Sequence, residues 1–248
     1  MSTTSFVPAA LIPVYNHHKV LEEIVTGLES LDLPVILVDD GSDAECARAL
    51  DTLAARHAKA CLVRRAENGG KGAAVVSGLY TADNMGFTHV IQIDADGQHD
   101  LTKVTEFLEV ARANPQALVC GYPVYDRSVP LSRLWGRELT NFWVHVNTGS
   151  KLLKDAMCGF RVYPLAGTLK VLPTVKTRRM DFDPDIAVRL IWSGMPVVNR
   201  PVGVTYPKDG ISHFRAFSDN VRISRLHTVH FFTRLAHLTG LTKGPTSS

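Results

Sequence analysis

Long apolar runs are missing from this 248-residue sequence. No stretch approaches the roughly 18 uninterrupted apolar residues that a membrane-spanning helix needs. The first ten residues also lack the basic start and apolar stretch of a signal peptide. Cysteine is scarce, and the four cysteines stand far apart without a CxxC pair, which fits neither a zinc ribbon nor a disulfide framework. These absences predict a cytoplasmic chain with buried, reduced thiols.

Charged residues are few, at 21% of the chain, and they are unevenly placed. Residues 201–248 hold six Lys or Arg against two Asp, whereas the preceding 200 residues carry a net charge of −1 within the overall +3. Because the positive surplus is confined to the tail and no base-reading motif accompanies it, the sequence does not favour nucleic-acid binding. Hydrophobic residues make up 45% of the chain, which is enough to bury the core of one domain.

The first 120 residues alternate short apolar runs with longer helical patterns, which is typical of βαβ units. Strands are predicted at Ala9–Val14, Val35–Val38, Cys61–Val63, His89–Ile93 and Ala117–Cys120. Helices are predicted at Lys19–Leu31, Ala44–Arg56, Lys71–Met85 and Leu101–Ala113. The predicted fold class is therefore α/β, with a mainly parallel central sheet flanked by helices.

Polar clusters follow the first, second and fourth of these strands. They are Pro13-Val14-Tyr15-Asn16, Asp39-Asp40-Gly41-Ser42 and Asp94-Ala95-Asp96-Gly97. In open α/β sheets, ligands bind at the carboxyl ends of the strands, so we expect the three clusters to converge on one edge. The second cluster can offer carboxylates to a base or a ribose hydroxyl, or it can simply cap the next helix.

The glycine-rich segment Asn68-Gly69-Gly70-Lys71-Gly72 opens a helix after a strand. Its backbone amides, the helix dipole and the Lys71 charge predict an anion site. The segment lacks the spacing and the Lys-Ser/Thr ending of a P-loop, and it is not a GxGxxG motif. Glycine-rich turns before helices are also common structural devices, so both interpretations stay open.

Asp94 and Asp96 bracket a small residue directly after a buried strand. Crowding two carboxylates is costly unless a cation or hydrogen-bond donors compensate them. Mg²⁺ or Mn²⁺ would do so while binding a diphosphate at its remaining positions, and Gln98 is spaced to add another oxygen ligand. A solvated acidic turn is the structural alternative.

Other enzyme classes use a similar acidic motif. Haloacid dehalogenase-like phosphohydrolases carry DxDG near the start of the chain and continue it with Thr or Val, whereas here about 90 residues precede it and Gln98 follows. A receiver-type signalling domain would leave half of the chain unexplained. Both alternatives therefore explain the sequence less well than a metal and diphosphate site.

In chain order, PVYN, VDDGS, NGGKGAA, IDADGQHD and CGFR resemble the motifs of family 2 glycosyltransferases, especially the dolichyl- or polyprenyl-phosphate sugar synthase branch. The resemblance implies a GT-A fold over residues 1–210, with a nucleotide-binding half followed by an acceptor-binding half. It implies inverting, metal-dependent transfer from a UDP-sugar or GDP-sugar to a lipid-linked acceptor, with Mn²⁺ or Mg²⁺. A catalytically idle module that binds nucleotide sugars is the alternative, against which the intact Asp94, Asp96 and Gln98 argue.

The resemblance also assigns roles to single residues. It places seven of them around the donor: Pro13, Tyr15, Asn16, Asp39, Asp40, Lys71 and Asp94. It makes Asp94, Asp96 and Gln98 the ligands of the divalent ion. His17 stands where the family often has an acidic residue. Any contact that this acidic residue makes with the nucleotide therefore has no equivalent in this chain.

The second half of the chain is expected to bind the acceptor. Arg133 and Arg137 stand four residues apart on a predicted helix, so they share a face suited to a phosphate, and Arg127 precedes them. Arginines on an exposed helix are also often simply solvated. The acceptor phosphate is therefore predicted at these three residues, with a solvated surface as the alternative.

Two further motifs bear on catalysis through the resemblance. The CGFR match places Arg161 at the border of the donor and acceptor pockets, with a structural arginine as the alternative. Asp183 or Asp185, before the apolar helix Ile186–Trp192, would be the general base for a hydroxyl acceptor. Asp183 is preferred because Asp185 can merely charge the start of the helix.

The tail, residues 211–248, is predicted to be a C-terminal loop followed by a basic amphipathic helix from about Phe217 to Leu238. Such a helix suits an anionic membrane surface, which predicts peripheral contact through residues 214–238 on the cytoplasmic face. Packing of the same helix against the protein's own core is the alternative.

Overall fold

The protein, described here from a computed structural model, folds around one seven-stranded sheet with strand order β3-β2-β1-β4-β6-β5-β7. The structure describes residues 5–125, 131–205 and 216–240, without the side chains of residues 131–133 and 216–217. The strands are β1 Pro8–Val14, β2 Val35–Asp39, β3 Ala60–Arg64, β4 His89–Gln92, β5 Leu118–Tyr125, β6 Arg161–Pro164 and β7 Val197–Val204. Only β6 runs antiparallel to its neighbours, β4 and β5, within the described sheet.

Eight α-helices flank the sheet in the described part of the chain. They are α1 Leu21–Ser30, α2 Ala44–Arg56, α3 Lys71–Asn84, α4 Val104–Ala113, α5 Leu131–Thr148, α6 Leu165–Val171, α7 Phe182–Trp192 and α8 Ala216–Leu238. The predicted α/β class with a mainly parallel sheet is confirmed. The helix predicted to begin at Leu101 starts as a 3₁₀ turn, Leu101–Lys103, before it continues as α4.

Two hydrophobic clusters form the core, one on each face of the sheet. Along β1, Ala9 and Leu11 pack with α3, α6 and α7, whereas Ala10 and Ile12 pack with α1, α2 and α4. Side chains of a strand point alternately to opposite faces, so a strand buried on both faces reads as one continuous apolar run. This explains the apolar runs that predicted β1, β2 and β4.

Two glycines let α3 approach its neighbours closely. A Cβ added to Gly78 would lie 2.1 Å from Leu11 Cδ1 on β1, and one added to Gly72 would lie 2.4 Å from Phe182 Cβ on α7. No side chain fits at such separations. The first turns of α3 and α7 therefore meet beside the carboxyl ends of β1 and β4.

We predict that Gly78→Ala destabilises the protein by about 1–3 kcal/mol, because the added methyl group overpacks against Leu11. Gly136, in α5, is the matched control, since it is also within a helix and a Cβ there would meet no atom within 4 Å. Gly136→Ala should be neutral or stabilising by up to about 1 kcal/mol through helix propensity. Urea unfolding measures both, and equal effects would contradict the close approach of α3 to β1.

Candidate active site

Lys71, Asp94 and Asp183 meet at the edge of the sheet where the parallel strands β1, β2 and β4 end. Lys71 Nζ lies 2.8 Å from Asp94 Oδ1 and 2.9 Å from Asp183 Oδ2. Lys71 is the first residue of α3, Asp94 follows β4 closely, and Asp183 lies in the first turn of α7. The fold thus brings together three charges from distant parts of the sequence.

The ion pairs outweigh the cost of burying these charges. Burial alone would lower the pKa of Lys71, yet the carboxylates of Asp183 and Asp94 raise it above its ordinary value. Burial likewise opposes ionisation of Asp94, but Lys71 and His99 hold the pKa of that carboxyl below its usual range. Lys71 and Asp94 are therefore both charged at neutral pH.

Gly159 of the CGFR motif packs directly on this cluster. A Cβ at this position would lie 2.5 Å from both carboxylate oxygens of Asp94 and 2.7 Å from Lys71 Nζ. The sequence singled out the motif for Arg161, and the requirement for glycine was missed. The spatial neighbours that impose it stand 65 and 88 positions earlier in the chain.

Arg161 lies beneath the site and makes structural contacts. Its side chain is fully buried, and it donates hydrogen bonds to the backbone oxygens of Cys158 at 2.8 Å, Ala156 at 2.6 Å and Asp183 at 2.8 Å. These contacts favour the structural arginine that the sequence left open as the alternative, and a catalytic role of Arg161 stays a prediction. The guanidinium fixes the start of α7 and the turn before Gly159.

The two candidate bases of α7 have different surroundings. Asp183 contacts Lys71, whereas Asp185 accepts hydrogen bonds from Arg189 Nε at 2.6 Å, His230 Nε2 at 2.8 Å and Thr177 Oγ1 at 2.8 Å. Burial opposes ionisation of Asp185, but His230 and Arg189 outweigh it and lower its pKa. Asp185 therefore links α7 to α8, and Asp183 is the candidate base that lies beside Lys71.

Asp40 organises the glycine-rich loop. Its carboxylate accepts the N–H groups of Gly69 at 3.0 Å and Gly70 at 2.7 Å, and it pairs with Arg65 at 2.8 Å. Two of the amides that the sequence offered to an anion are thus already bonded within the protein. These two amides are therefore not available to an anion, and Asp40 holds the glycine-rich loop in place.

The ends of β1 and β2 are joined by Asn16 and Asp39. Asn16 has a left-handed φ of 52°, its Oδ1 accepts the Asp43 N–H at 2.8 Å, and its own N–H donates to Ser42 Oγ at 3.1 Å. Asp39 is buried and accepts hydrogen bonds from Ser42 N and Arg64 Nε, both at 2.9 Å. The convergence of these two polar clusters on one edge is confirmed.

Pro13 and Tyr15 flank that junction. Pro13 is partly buried within β1, in register with Val38 of β2, and Tyr15 is exposed beyond the strand. His17, which stands in place of the family's acid, has its Nδ1 3.2 Å from the backbone oxygen of Tyr15. The residues predicted to surround a nucleotide therefore lie at the same edge as Asp94.

Asp96, Gln98 and His99 follow Asp94 along the same loop. Asp96 Oδ1 accepts the Gln98 N–H at 3.1 Å, and burial, followed by repulsion from Asp94, raises the pKa of Asp96. Burial lowers the pKa of His99 despite the two neighbouring carboxylates, and its Nδ1 is buried without a hydrogen-bond partner. The sequence missed His99, although it directly follows Gln98.

These groups fit a divalent ion. Within the described ranges, no three His, Cys, Asp or Glu side chains form a ready-made metal cluster. However, the raised pKa of Asp96 shows a carboxylate whose charge is poorly compensated, and a cation would relieve it. Carboxylate oxygens and the Gln98 amide oxygen are ligands that Mg²⁺ and Mn²⁺ accept, and the orphaned nitrogen of His99 lies on the same loop.

Comparison with known proteins identifies the family. The sequence profile described as "Glycosyl transferase family 2" matches residues 9–169 of this chain. The chain belongs to glycosyl transferase family 2. The matched range includes Lys71, Asp94, Asp96 and Gly159 but ends before Asp183.

Curated relatives of this family 2 glycosyltransferase are named for lipid phosphates. This chain is 28% identical over 222 residues to a dolichyl-phosphate beta-glucosyltransferase of Trichomonas vaginalis, and the alignment covers 80% of this chain and 63% of the relative. It is 26% identical over 211 residues to the polyprenol monophosphomannose synthase of Mycolicibacterium smegmatis, covering 82% of this chain and 78% of the relative. The alignment with the Trichomonas enzyme thus spans less than two thirds of that enzyme.

Solved structures share the fold, which confirms the GT-A expectation. Glucosyl-3-phosphoglycerate synthase from Mycobacterium tuberculosis, in complex with Mn²⁺, UDP-glucose and phosphoglyceric acid, aligns with a TM-score of 0.67 at 13% identity, covering 94% of this chain and 80% of that one. The mannosyltransferase PcManGT from Pyrobaculum calidifontis, in complex with GDP-mannose and Mn²⁺, aligns with a TM-score of 0.56 at 16% identity, covering 95% and 66%.

The arginines assigned to the acceptor are only partly described. Arg127 lies outside the described residues, and the structure places Arg133 on α5 without describing its side chain. Arg137 pairs with Asp155. Burial alone would lower the pKa of the Arg137 guanidinium, but the carboxylate of Asp155 outweighs burial and raises it. Because Asp155 already pairs with Arg137, this arginine offers less charge to a phosphate, and the acceptor site at the three arginines stays a prediction.

We predict that Gly159→Ala lowers turnover by about 100-fold, because its methyl group displaces Lys71 and Asp94 from each other. Gly203→Ala is the control, since a Cβ there would lie 3.6 Å from Asp100 Cβ, at ordinary contact distance. Circular dichroism should first show that both variants are folded, and their turnover in glycosyl transfer should then be measured. Wild-type turnover of Gly159→Ala would contradict the tight packing on the cluster.

We predict that Asp185→Asn destabilises the protein by about 3–5 kcal/mol at pH 7, because it leaves buried His230 and partly buried Arg189 without their carboxylate. The folded-state pKa of Asp185 is lowered. Its stabilisation is therefore full above the ordinary pKa of about 3.9 and is lost as the pH falls through the folded value. The stability difference between wild type and variant should shrink below about pH 4 in urea titrations. A constant difference down to pH 2 would refute this account.

Proposed function

We propose that this family 2 glycosyltransferase moves a sugar from a UDP-sugar or GDP-sugar to the phosphate of a polyprenyl-type lipid, with inversion at the anomeric carbon. The observation that carries the proposal is the Lys71, Asp94 and Asp183 cluster beside Asp96, at the edge where α/β folds bind ligands. The names of the two curated relatives support the acceptor class. The nucleotide sugars in the two solved structures support the donor class.

On the donor side, Asp94, Asp96 and Gln98 would hold a divalent ion, with His99 next to them. When bound, such an ion neutralises the diphosphate and the charge that develops on the departing nucleotide. Asn16 and Asp39 keep the ends of β1 and β2 together, and Pro13 and Tyr15 lie beside them, where a nucleoside would be received.

On the acceptor side, both oxygens of Asp183 already have partners. Oδ2 lies 2.9 Å from Lys71 Nζ and Oδ1 lies 3.4 Å from Gln92 Nε2, deep in the protein. Asp183 is also buried, so a hydroxyl acceptor would have to reach a carboxylate that lies deep in the protein. A phosphate acceptor is ionised at neutral pH and needs only to be positioned for attack on the face opposite the nucleotide. The contacts of Asp183 therefore favour a phosphate.

Positioning of that phosphate falls in this proposal to Arg127 and Arg133, because Asp155 neutralises Arg137. Lys71 keeps Asp94 and Asp183 in place while the acceptor approaches. The lipid chain of the acceptor would bring the reaction to a membrane surface, which the protein would contact peripherally through residues 214–238.

The proposal is tested by incubating the purified protein with Mn²⁺, a labelled UDP-sugar or GDP-sugar, and polyprenyl phosphate in mixed micelles. We expect one donor to give a polyprenyl-phosphate sugar, whose anomeric configuration by NMR is opposite to that of the donor. Asp96→Ala should abolish Mn²⁺-dependent donor binding in calorimetry while the fold is retained. Transfer with retained configuration, or unchanged metal-dependent affinity in Asp96→Ala, would overturn the mechanism.

A further inference from the structure

Helix α5 carries its apolar side chains on the outside. Trp135, Leu139 and Phe142 are 76%, 60% and 56% exposed, and their spacing places them on one face of the helix. The buried side of the same helix carries three polar residues: Thr140, Asn141 and Asn147. Val144 is the buried apolar residue beside them, so most of the apolar surface of α5 faces outward, unlike a surface helix that turns its apolar face to the core.

Helix α8 shows the same reversal along much of its length. Its buried side includes Asp219, His227 and His230 beside Ile223 and Leu226. Its exposed apolar residues are Val221, Val229, Phe231, Phe232, Leu235 and Leu238. Helices α5 and α8 pack against each other, so their exposed apolar residues lie on neighbouring elements.

Buried polar contacts hold both helices in this orientation. Asn147 Nδ2 of α5 lies 3.3 Å from His227 Nδ1 of α8, and the backbone oxygen of Asn147 accepts the Trp192 indole N–H at 3.0 Å. His230 of α8 bonds Asp185. Rotating either helix to bury its apolar face would break these bonds and leave polar groups unsatisfied. The exposed apolar face is therefore specified by the buried polar one.

The concentration of exposed apolar side chains is local. Nine of the 17 large hydrophobic residues that are exposed in the described structure lie on these two helices. Exposed apolar side chains concentrated on two neighbouring helices indicate a binding surface for protein or membrane. No helix in the described ranges has the length and apolar character to cross a bilayer.

The charge of the two helices favours a bilayer with anionic headgroups. Together they carry five arginines, of which Arg137 pairs with Asp155 and Arg222 with Asp219. Arg225 is exposed beside the apolar residues, and Glu138 is the other acidic residue of the two helices. Tryptophan and arginine at the rim of an apolar helix face suit the boundary between headgroups and acyl chains. A second copy of the chain would instead bring the arginines of one copy against those of the other.

We propose that α5 and α8 form one lipid-binding surface, which seats the protein in the headgroup region of an anionic bilayer. The proposal deepens the proposed function, on which it rests for the presence of a lipid acceptor in that bilayer. Both helices also contact the segments that carry the site: Arg137 pairs with Asp155 in the turn before Gly159, and His230 bonds Asp185 on the helix of Asp183.

The test is co-sedimentation of the full chain with extruded vesicles of phosphatidylcholine containing phosphatidylglycerol, without donor or acceptor. We expect the double variant Trp135→Gln, Phe232→Gln to bind about tenfold more weakly or worse, because two large apolar side chains leave the lipid. Tyr80→Gln with Met85→Gln is the matched control, since both residues are exposed at or near the end of α3. The control should bind as the wild type does.

Tryptophan fluorescence gives a second readout. Emission should shift to the blue when vesicles are added, and Trp135→Phe should remove most of that shift while Trp143 and Trp192 remain. Binding should also weaken with rising salt and on vesicles of phosphatidylcholine alone, because the arginines attract the anionic headgroups.

The proposal is overturned if the wild type does not bind vesicles, if the double variant binds as well as the control, or if ultracentrifugation shows a dimer that the double variant dissociates. Because vesicle binding is measured without substrates, its failure is separate from failure of the proposed transfer. With active enzyme, the double variant should keep its transfer to a short, water-soluble prenyl phosphate and lose transfer to long-chain acceptor in vesicles.

Discussion

The arrangement of the site depends on one ammonium group shared by two carboxylates. Lys71 is only 14% exposed at its side chain, and a charge so placed must be paired to be tolerated. The pairing requires α3, the loop after β4 and the first turn of α7 to meet at one point. Gly72 permits the approach of α3 to α7, and Gly159 leaves room for the ion pair itself. The two glycines and the three charged side chains thus depend on one another for the geometry of the site.

Many of the polar groups that surround this cluster are used by the fold. Asp40 binds two loop amides, and Arg161 binds three backbone oxygens. The group left with poorly compensated charge is Asp96, and its neighbour His99 has a lowered pKa and an orphaned nitrogen. A site of this character repels a diphosphate unless a cation lies between them. We therefore expect the proposed reaction to depend on a divalent ion.

Local sequence patterns predicted the parts of the fold that are set locally. The strands β1, β2 and β4 are apolar runs buried on both faces, and the polar clusters at their ends converge because parallel strands share an edge. Strand β6, which inserts antiparallel between β4 and β5, was considered only as the structural alternative for the CGFR motif, since its four residues carry no pattern of their own. Other contacts depend on segments that are distant in the sequence. They are the partners of Lys71, the buried contacts of Arg161 and the different partners of Asp183 and Asp185. Sequence spacing does not reveal such contacts.

The same limit applies to α5 and α8, where both faces mix apolar and polar residues and only the packing shows which face is buried. Helix α7 then relates that packing to the site. Asp183 and Asp185 stand two residues apart, so their side chains leave the helix about 200° from each other. One reaches Lys71 and the other reaches His230 of α8. Because less than one turn of helix separates the two contacts, the orientation of the exposed apolar face relative to the cluster is fixed by rigid secondary structure.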